Sequence, residues 1–226
     1  MILGCDISKG GMTAAKMGSS AQVAISLFGF AAGSCPYQDV QPIRLATSIA
    51  AEALEKLFDK LLQEDIANDL AYAAARLQAA LTKASSAISE LGILLSMGLY
   101  VGGTVIYAVP GQALLLAFGG STIYRMESHN LTQIAGGCED GLIPDALGAG
   151  GAAVKGVTIF VPEDLRLLAV SAPLEEEARN RAADILAESS ADETHPDTAS
   201  MLISQAILPA HAGPVLDCRL EGSQSL

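Results

Sequence analysis

The residues of this chain that carry chemistry are scattered, and their spacing excludes most of what such residues do. Cys5, Cys35, Cys138 and Cys218 lie far apart with no C-x-x-C, and His129, His195 and His211 show no paired spacing. That pattern offers no zinc site and reads as buried free thiols in a reducing compartment. Ser171 stands in Val170-Ser171-Ala172, which is not a G-x-S-x-G elbow, and no His or Asp partner can be named for it. Gly148-Ala149-Gly150-Gly151-Ala152-Ala153 has the spacing of a dinucleotide loop. Such a loop needs a strand before it and a long helix after it. Here Pro144 precedes it and strand character resumes at Val157, so it reads as a loop. Glu175-Glu176-Glu177 follows Pro173 and suits a helix N-terminus, where acids are favoured. Four segments stand out by what they lack. Leu27 to Gly33, Ala117 to Ser121, Leu167 to Leu174 and Ala212 to Val215 are mostly apolar, and none holds an acid.

The elements that would position these residues are legible from pattern. Ala21 to Phe28 reads as a strand, and Gly10-Gly11 and Gly18-Ser19-Ser20 read as turns. From Ile43 to Leu91 apolar residues recur at three and four, which predicts two helices, the second capped by Asp65 or Asn68. That second helix, Ala67 to Ala87, has sparse charges that are not basic, and reads as core-facing. Leu91 to Val109 has no charge, but Gly98, Gly102 and Gly103 interrupt it and no Lys or Arg flanks it closely. With Pro110-Gly111 and the apolar run Ala113 to Phe118 it reads as a buried hairpin and not a membrane span. Strands continue to Ile134, with His129-Asn130 as a hairpin turn, and 135–155 is a glycine-rich loop. Val157 to Val161 and Leu167 to Ser171 are strands around a Pro162-Glu163-Asp164 turn. Leu174 to Glu188 is a helix with Pro173 in its first turn, Ser189 to Asp197 a polar loop, Thr198 to Ile207 a last helix, and Pro214 to Leu220 a closing strand. Helices segregated from antiparallel strands give an α+β fold, one domain over 1–220 with 221–226 as a tail.

Composition narrows the function classes. Half the 226 residues are hydrophobic and 17% are charged, which suits one sizeable core. Lys plus Arg is 13 against 25 Asp plus Glu, a net charge of −12 with no basic stripe, so no nucleic-acid partner is expected. The first residues, Met1-Ile2-Leu3-Gly4-Cys5-Asp6, lack the basic and apolar regions of a signal peptide, and a cytoplasmic location is expected.

The order of these segments resembles the metal-dependent, type 2C serine/threonine protein phosphatases. Gly102-Gly103-Thr104-Val105-Ile106-Tyr107 and then Ala113 to Arg125 are similar to that family's glycine-threonine strand and its G-D-S-R-x-Y segment. Leu131-Thr132-Gln133-Ile134 resembles the segment that follows. Ile143-Pro144-Asp145-Ala146-Leu147-Gly148 resembles I-T-R-A-L-G, and Val161 to Leu174 resembles P-G-D-x-L-L-L-C-S-D-G-L. The resemblance covers nearly the whole chain and implies two antiparallel sheets packed face to face between helix layers, an α-β-β-α sandwich.

It also implies where a two-metal site would stand. In that family carboxylates hold two Mg²⁺ or Mn²⁺ ions that activate a water against phosphorus. Carried onto this chain, the Asp of D-G-M-G-G falls on Ala32, with Gly33 kept; that of G-D-S on Gly120; that of S-D-G on Ala172; and the D-N pair on Ala212 and Gly213. The early Asn-Glu-Asp falls near Ala14, Ala15 and Lys16, and the phosphate-binding Arg near Gly10 or Gly11. Asp6 and Asp217 survive near motif segments and read as ordinary surface or turn-bonded aspartates. Methyl groups coordinate no metal and Lys16 would repel one. The expectation is therefore a pseudophosphatase with no catalytic residue, metal or cofactor, which binds a protein partner such as a phosphoprotein or kinase. Ala32, Gly33, Gly120, Ala172 and Ala212 would be its vestigial site. The alternatives are a weakly active Mn- or Mg-dependent phosphatase and a self-associating scaffold.

Overall fold

A computed structural model describes residues 2–6, 11–18, 20–32, 40–64, 68–137, 145–149, 154, 156–161, 164–191, 196–207 and 214–220. The strands are β1 (Ile2–Asp6), β2 (Gly11–Met17), β3 (Gln22–Ala32), β4 (Gly98–Val109), β5 (Gln112–Phe118), β6 (Thr122–Glu127), β7 (Asn130–Gly136), β8 (Gly156–Phe160), β9 (Leu165–Val170) and β10 (Val215–Leu220). The helices are α1 (Gln41–Leu61), α2 (Leu70–Leu95), α3 (Glu176–Ala191) and α4 (Pro196–Ile207). Every strand pairing is antiparallel. One sheet has the order β1-β10-β9-β6-β7 and joins the first and last strands; it is called the terminal sheet below. The other, β2-β3-β4-β5-β8, is the meander sheet.

Alternation along the strands sends side chains to two faces and so builds three cores. Val23, Ile25, Leu27, Val105 and Tyr107 of the meander sheet pack on Leu54, Phe58, Leu77 and Leu81 of α1 and α2. The opposite faces of the two sheets meet through Ala24, Ile106, Leu115, Ile123, Leu167 and Leu216. Tyr124, Leu168 and Val215 of the terminal sheet pack on Ala182, Leu186 and Ile203 of α3 and α4. The layers are therefore α-β-β-α, as the resemblance implies, and both helix pairs cover sheets as their periodicity requires. Among the described residues no helix is long and apolar enough to cross a membrane. The charge-free run from Leu91 divides between the end of α2 and β4, and β4 pairs with β5 across the Pro110-Gly111 turn.

Three sequence expectations shift. The α2 cap is Asp69, whose carboxylate accepts from Ala71 N at 2.9 Å and Tyr72 N at 3.0 Å, not Asp65 or Asn68. Helix α3 begins at Glu176, not Leu174. The Leu174 amide donates to the buried Tyr124 hydroxyl at 2.8 Å and its side chain is buried, so this residue docks on the sheet before the helix can start. Helix α3 then runs through Ala191, past the expected polar loop at Ser189. The Pro162-Glu163 part of the expected turn lies outside the described residues.

Candidate functional site

Pair registers define one end of the sandwich where most of the singled-out segments converge. In the terminal sheet Asp6 pairs with Val215, Leu216 with Ala169, and Thr122 with Val170. The residues just beyond, Pro214, Ser171-Ala172 and Gly120-Ser121, therefore lie side by side. A Cβ built on Gly120 would stand 3.8 Å from the Ser171 carbonyl oxygen, with nothing nearer among the described residues. In the meander sheet the facing row is Gly11, Phe28 and Gly102, since Gly11 pairs with Phe28 and Phe28 with Gly102.

The sheets close on each other there. A Cβ on Gly11 would lie 2.6 Å from the Pro214 ring, so only a glycine lets the two strands approach. The Phe28 ring covers Gly102, whose Cβ would come within 2.5 Å of Cζ. Gly119, at φ +64°, turns the chain against Gly102, leaving 2.3 Å between a Cβ there and the Gly102 Cα. Phe28 and Phe30 alternate onto the face toward the other sheet. Their rings stack at 6.0 Å, and Phe30 stacks on Tyr100 at 5.5 Å. Behind this aromatic row, Thr13, Ser26 and Thr104 form a second row across three strands on the same face. The Thr13, Thr104 and Ser121 hydroxyls are buried without a hydrogen-bond partner among the described residues.

Gly120 and Ala172 are thus brought together, and Gly11 joins them through Pro214. Ala32 is not among them. It pairs with Gly98, four residues along β3 from the Phe28–Gly102 pair, which is about 13 Å of strand. The β3 residues at the level of Gly120 are Phe28 and Phe30. Gly33, Ala212 and Gly213 lie outside the described residues. Of the early positions, Ala14 packs toward α1, and Lys16 pairs with Asp59 of α1 at 2.6 Å.

The two surviving aspartates differ. The side chain of Asp6 lies outside the described residues. Asp217 is not at the surface or in a turn. It is buried at 1% exposure on the face toward α3, where the Arg166 guanidinium holds it at 2.8 Å through Nε and 2.5 Å through a terminal nitrogen. The same guanidinium donates to the Leu186 carbonyl and, at 2.9 Å, to Ser189 Oγ. Asp217 is therefore spent on fastening α3. Sequence reasoning missed Asp145, whose carboxylate accepts from Gly119 N at 3.0 Å. The segment after it is held by paired bonds between Val101 and Leu147 at 3.0 and 2.9 Å, and by Gly148 N donating to Ser85 Oγ at 2.9 Å. No local signal marks Asp145, because the contact spans 26 residues. Glu176 and Glu177 sit in the first turn of α3, and Glu177 pairs with Arg181 on the same helix.

No family model matches the sequence, and no curated protein matches it. Solved structures do. The chain superposes on the catalytic domain of the serine/threonine protein phosphatase PstP in complex with two manganese ions, with TM-score 0.68 at 16% identity over 97% of this chain and 98% of that one. It matches a serine/threonine phosphatase of S. agalactiae with TM-score 0.70 at 10% identity over 98% and 99%. It matches PppA of Pseudomonas aeruginosa, a key regulatory component of T6SS, with TM-score 0.66 at 12% identity over 97% and 99%. The fold is that of the type 2C serine/threonine phosphatases. Identities this low carry the fold and not the chemistry.

Measured against what a type 2C metal pair requires, the described donors do not fit. Divalent Mg²⁺ and Mn²⁺ take hard oxygen ligands, chiefly carboxylates that offset their charge. The described side chains of the sandwich end are phenyl rings, a proline, glycines, neutral hydroxyls and one carboxylate already bonded to an amide. Among the described residues no three His, Cys, Asp or Glu side chains group closely enough to hold a metal ion.

Proposed function

We propose that this chain is a pseudophosphatase: a type 2C fold that acts as a protein-binding or regulatory module and not as a hydrolase. The observation that carries this reading is the aromatic row. Phe28 and Phe30 stand on the strand that faces Gly120, where a metal site would need acids, and the Phe28 ring is packed onto Gly102. Placing a divalent cation against stacked rings leaves its charge without the oxygen ligands that replace its water shell. Gly120 and Ala172 add no donor, and Pro214 fills the space above Gly11. A partner protein is the natural consumer of a fold kept without its chemistry, with a phosphoprotein or kinase as the leading class. That PppA is a regulatory component of its own system agrees with this but assigns no partner here.

A second reading keeps weak Mn²⁺- or Mg²⁺-dependent phosphatase activity. Among the described residues it is favoured by Asp145, a carboxylate at the sandwich end within 3.0 Å of the Gly119 amide. The two readings separate in one experiment, calorimetric titration with Mn²⁺ alongside p-nitrophenyl phosphate turnover in the same buffer. The expected result is no saturable heat and no turnover above buffer. Stoichiometric Mn²⁺ binding with turnover that Asp145→Ala abolishes would sink the pseudophosphatase.

A further inference from the structure

One surface groove gathers charge against the trend of the chain. Helices α1 and α2 lie side by side and leave between them a groove of about 610 Å³. Its floor is small and apolar, formed by Ala53, Leu57, Ala80 and Ala84. Its rim carries Lys56 and Lys60 from α1 and Arg76 and Lys83 from α2, four of the 13 basic residues in the chain. Glu52 is the one acid in the lining, and it is paired with Lys56 at 3.2 Å. Arg76 lies over the Tyr72 ring at 5.8 Å, a contact that leaves its charge intact. Lys60 and Lys83 are exposed and make no ion pair among the described residues.

We propose that this groove docks an acidic amphipathic helix of a partner protein. The proposal rests on the reading of this chain as a binding module and names where the partner sits. An alanine floor between two helices lets a third helix backbone approach closely, and the apolar stripe of that helix would cover the floor. Glu and Asp flanking the stripe would meet the rim cations, which set orientation and speed encounter. Charge complementarity also selects a short segment over an extended polyanion. At physiological salt a charge acts over about 8 Å, so a helix lying in the groove feels the rim. A nucleic acid or an anionic membrane would also meet the acids of a chain at −12.

The test begins with a displayed library of helical peptides selected on the intact chain, without bias in charge. The enriched peptides are then measured by fluorescence anisotropy against the wild type and against Lys60→Glu/Lys83→Glu. Both lysines are exposed, so the variant is expected to melt with the wild type. Peptides with acids flanking an apolar stripe should be enriched, weaken with salt, and lose at least about tenfold in affinity on the double reversal. The proposal falls if nothing is enriched, if the winners lack acids, or if they bind the reversal variant equally well. It also falls if phosphatidylglycerol vesicles displace every peptide. Turnover with Mn²⁺ would overturn the pseudophosphatase but leave the groove standing. Failed peptide binding without turnover would overturn the groove alone.

Discussion

The terminal sheet, backed by α3 and α4, holds the buried charges described in this molecule: Arg166 and Asp217, bonded to each other and to the end of α3. The meander sheet, backed by α1 and α2, buries hydroxyls and apolar side chains but no described charge, and carries its cations on the outer groove. Buried charge works as a fastener in the first half; in the second the described charges lie at the surface. Between them, at the sandwich end, the described surfaces that face each other are rings, glycines and a proline. A desolvated ion pair is stable only with its partners in place. An exposed cation adds little to stability and remains free to meet a ligand. The contrast separates a half fastened by buried charge from the half that carries the groove proposed above as a docking surface.

The largest effect expected from breaking this contrast is at the fastener. Arg166→Leu leaves Asp217 buried without its counter-charge and frees the Leu186 carbonyl, and should cost about 3–5 kcal/mol in urea unfolding. Arg166→Leu/Asp217→Leu should recover much of that loss; no recovery would mean that the guanidinium acts mainly through α3. Next comes the sandwich end. Gly119→Ala puts a Cβ 2.3 Å from the Gly102 Cα at a left-handed φ and should cost about 2–4 kcal/mol. A neutral result would show that the two sheets are looser there than the glycines imply.

The smallest effect is expected at alkaline pH. Burial, with the Asp217 charge beside it, pushes the Cys218 thiol up from 9.0 to about 12. Folding then favours the protonated thiol. Its contribution is intact below pH 9.0 and is lost as the pH climbs toward about 12. Burial also raises the Tyr107 and Tyr124 hydroxyls, which act in the same direction. Cys218→Ala should flatten part of this alkaline limb in pH-dependent melts, and an unchanged limb would place the effect on the tyrosines.

How much of this was legible depended on the range of the interactions. Strand alternation and helical periodicity are local, and they marked most strands and all four helices; the layering into an α-β-β-α sandwich came from the family resemblance. The α2 cap was missed by one residue, because Asp65, Asn68 and Asp69 look alike until a carboxylate meets an amide. The start of α3 was missed because a Tyr124 hydroxyl 50 residues away claims the Leu174 amide. The sandwich end was legible in part. Gly120 and Ala172 sit at turns that their strings define. Ala32 was placed by a motif that can slide along an apolar strand, and only the β3–β4 register puts Phe28 and Phe30 at that level. The groove was illegible because neither helix is basic by itself; its rim exists only when Lys56 and Lys60 stand across from Arg76 and Lys83.

The α3 contacts also have a mechanical meaning. The chain entering this helix is pinned where Leu174 meets Tyr124, and its last turns are pinned where Leu186 and Ser189 meet Arg166. A rod bolted at both ends can neither slide by a turn nor roll without shearing two sets of polar contacts at once. Helix α1 is stitched to its sheet by the Lys16–Asp59 pair, in which the aspartate side chain is largely exposed, and water competes for such a bond. The α3 side is thus fastened by directional polar bonds, and the side that carries the groove is held chiefly by apolar packing.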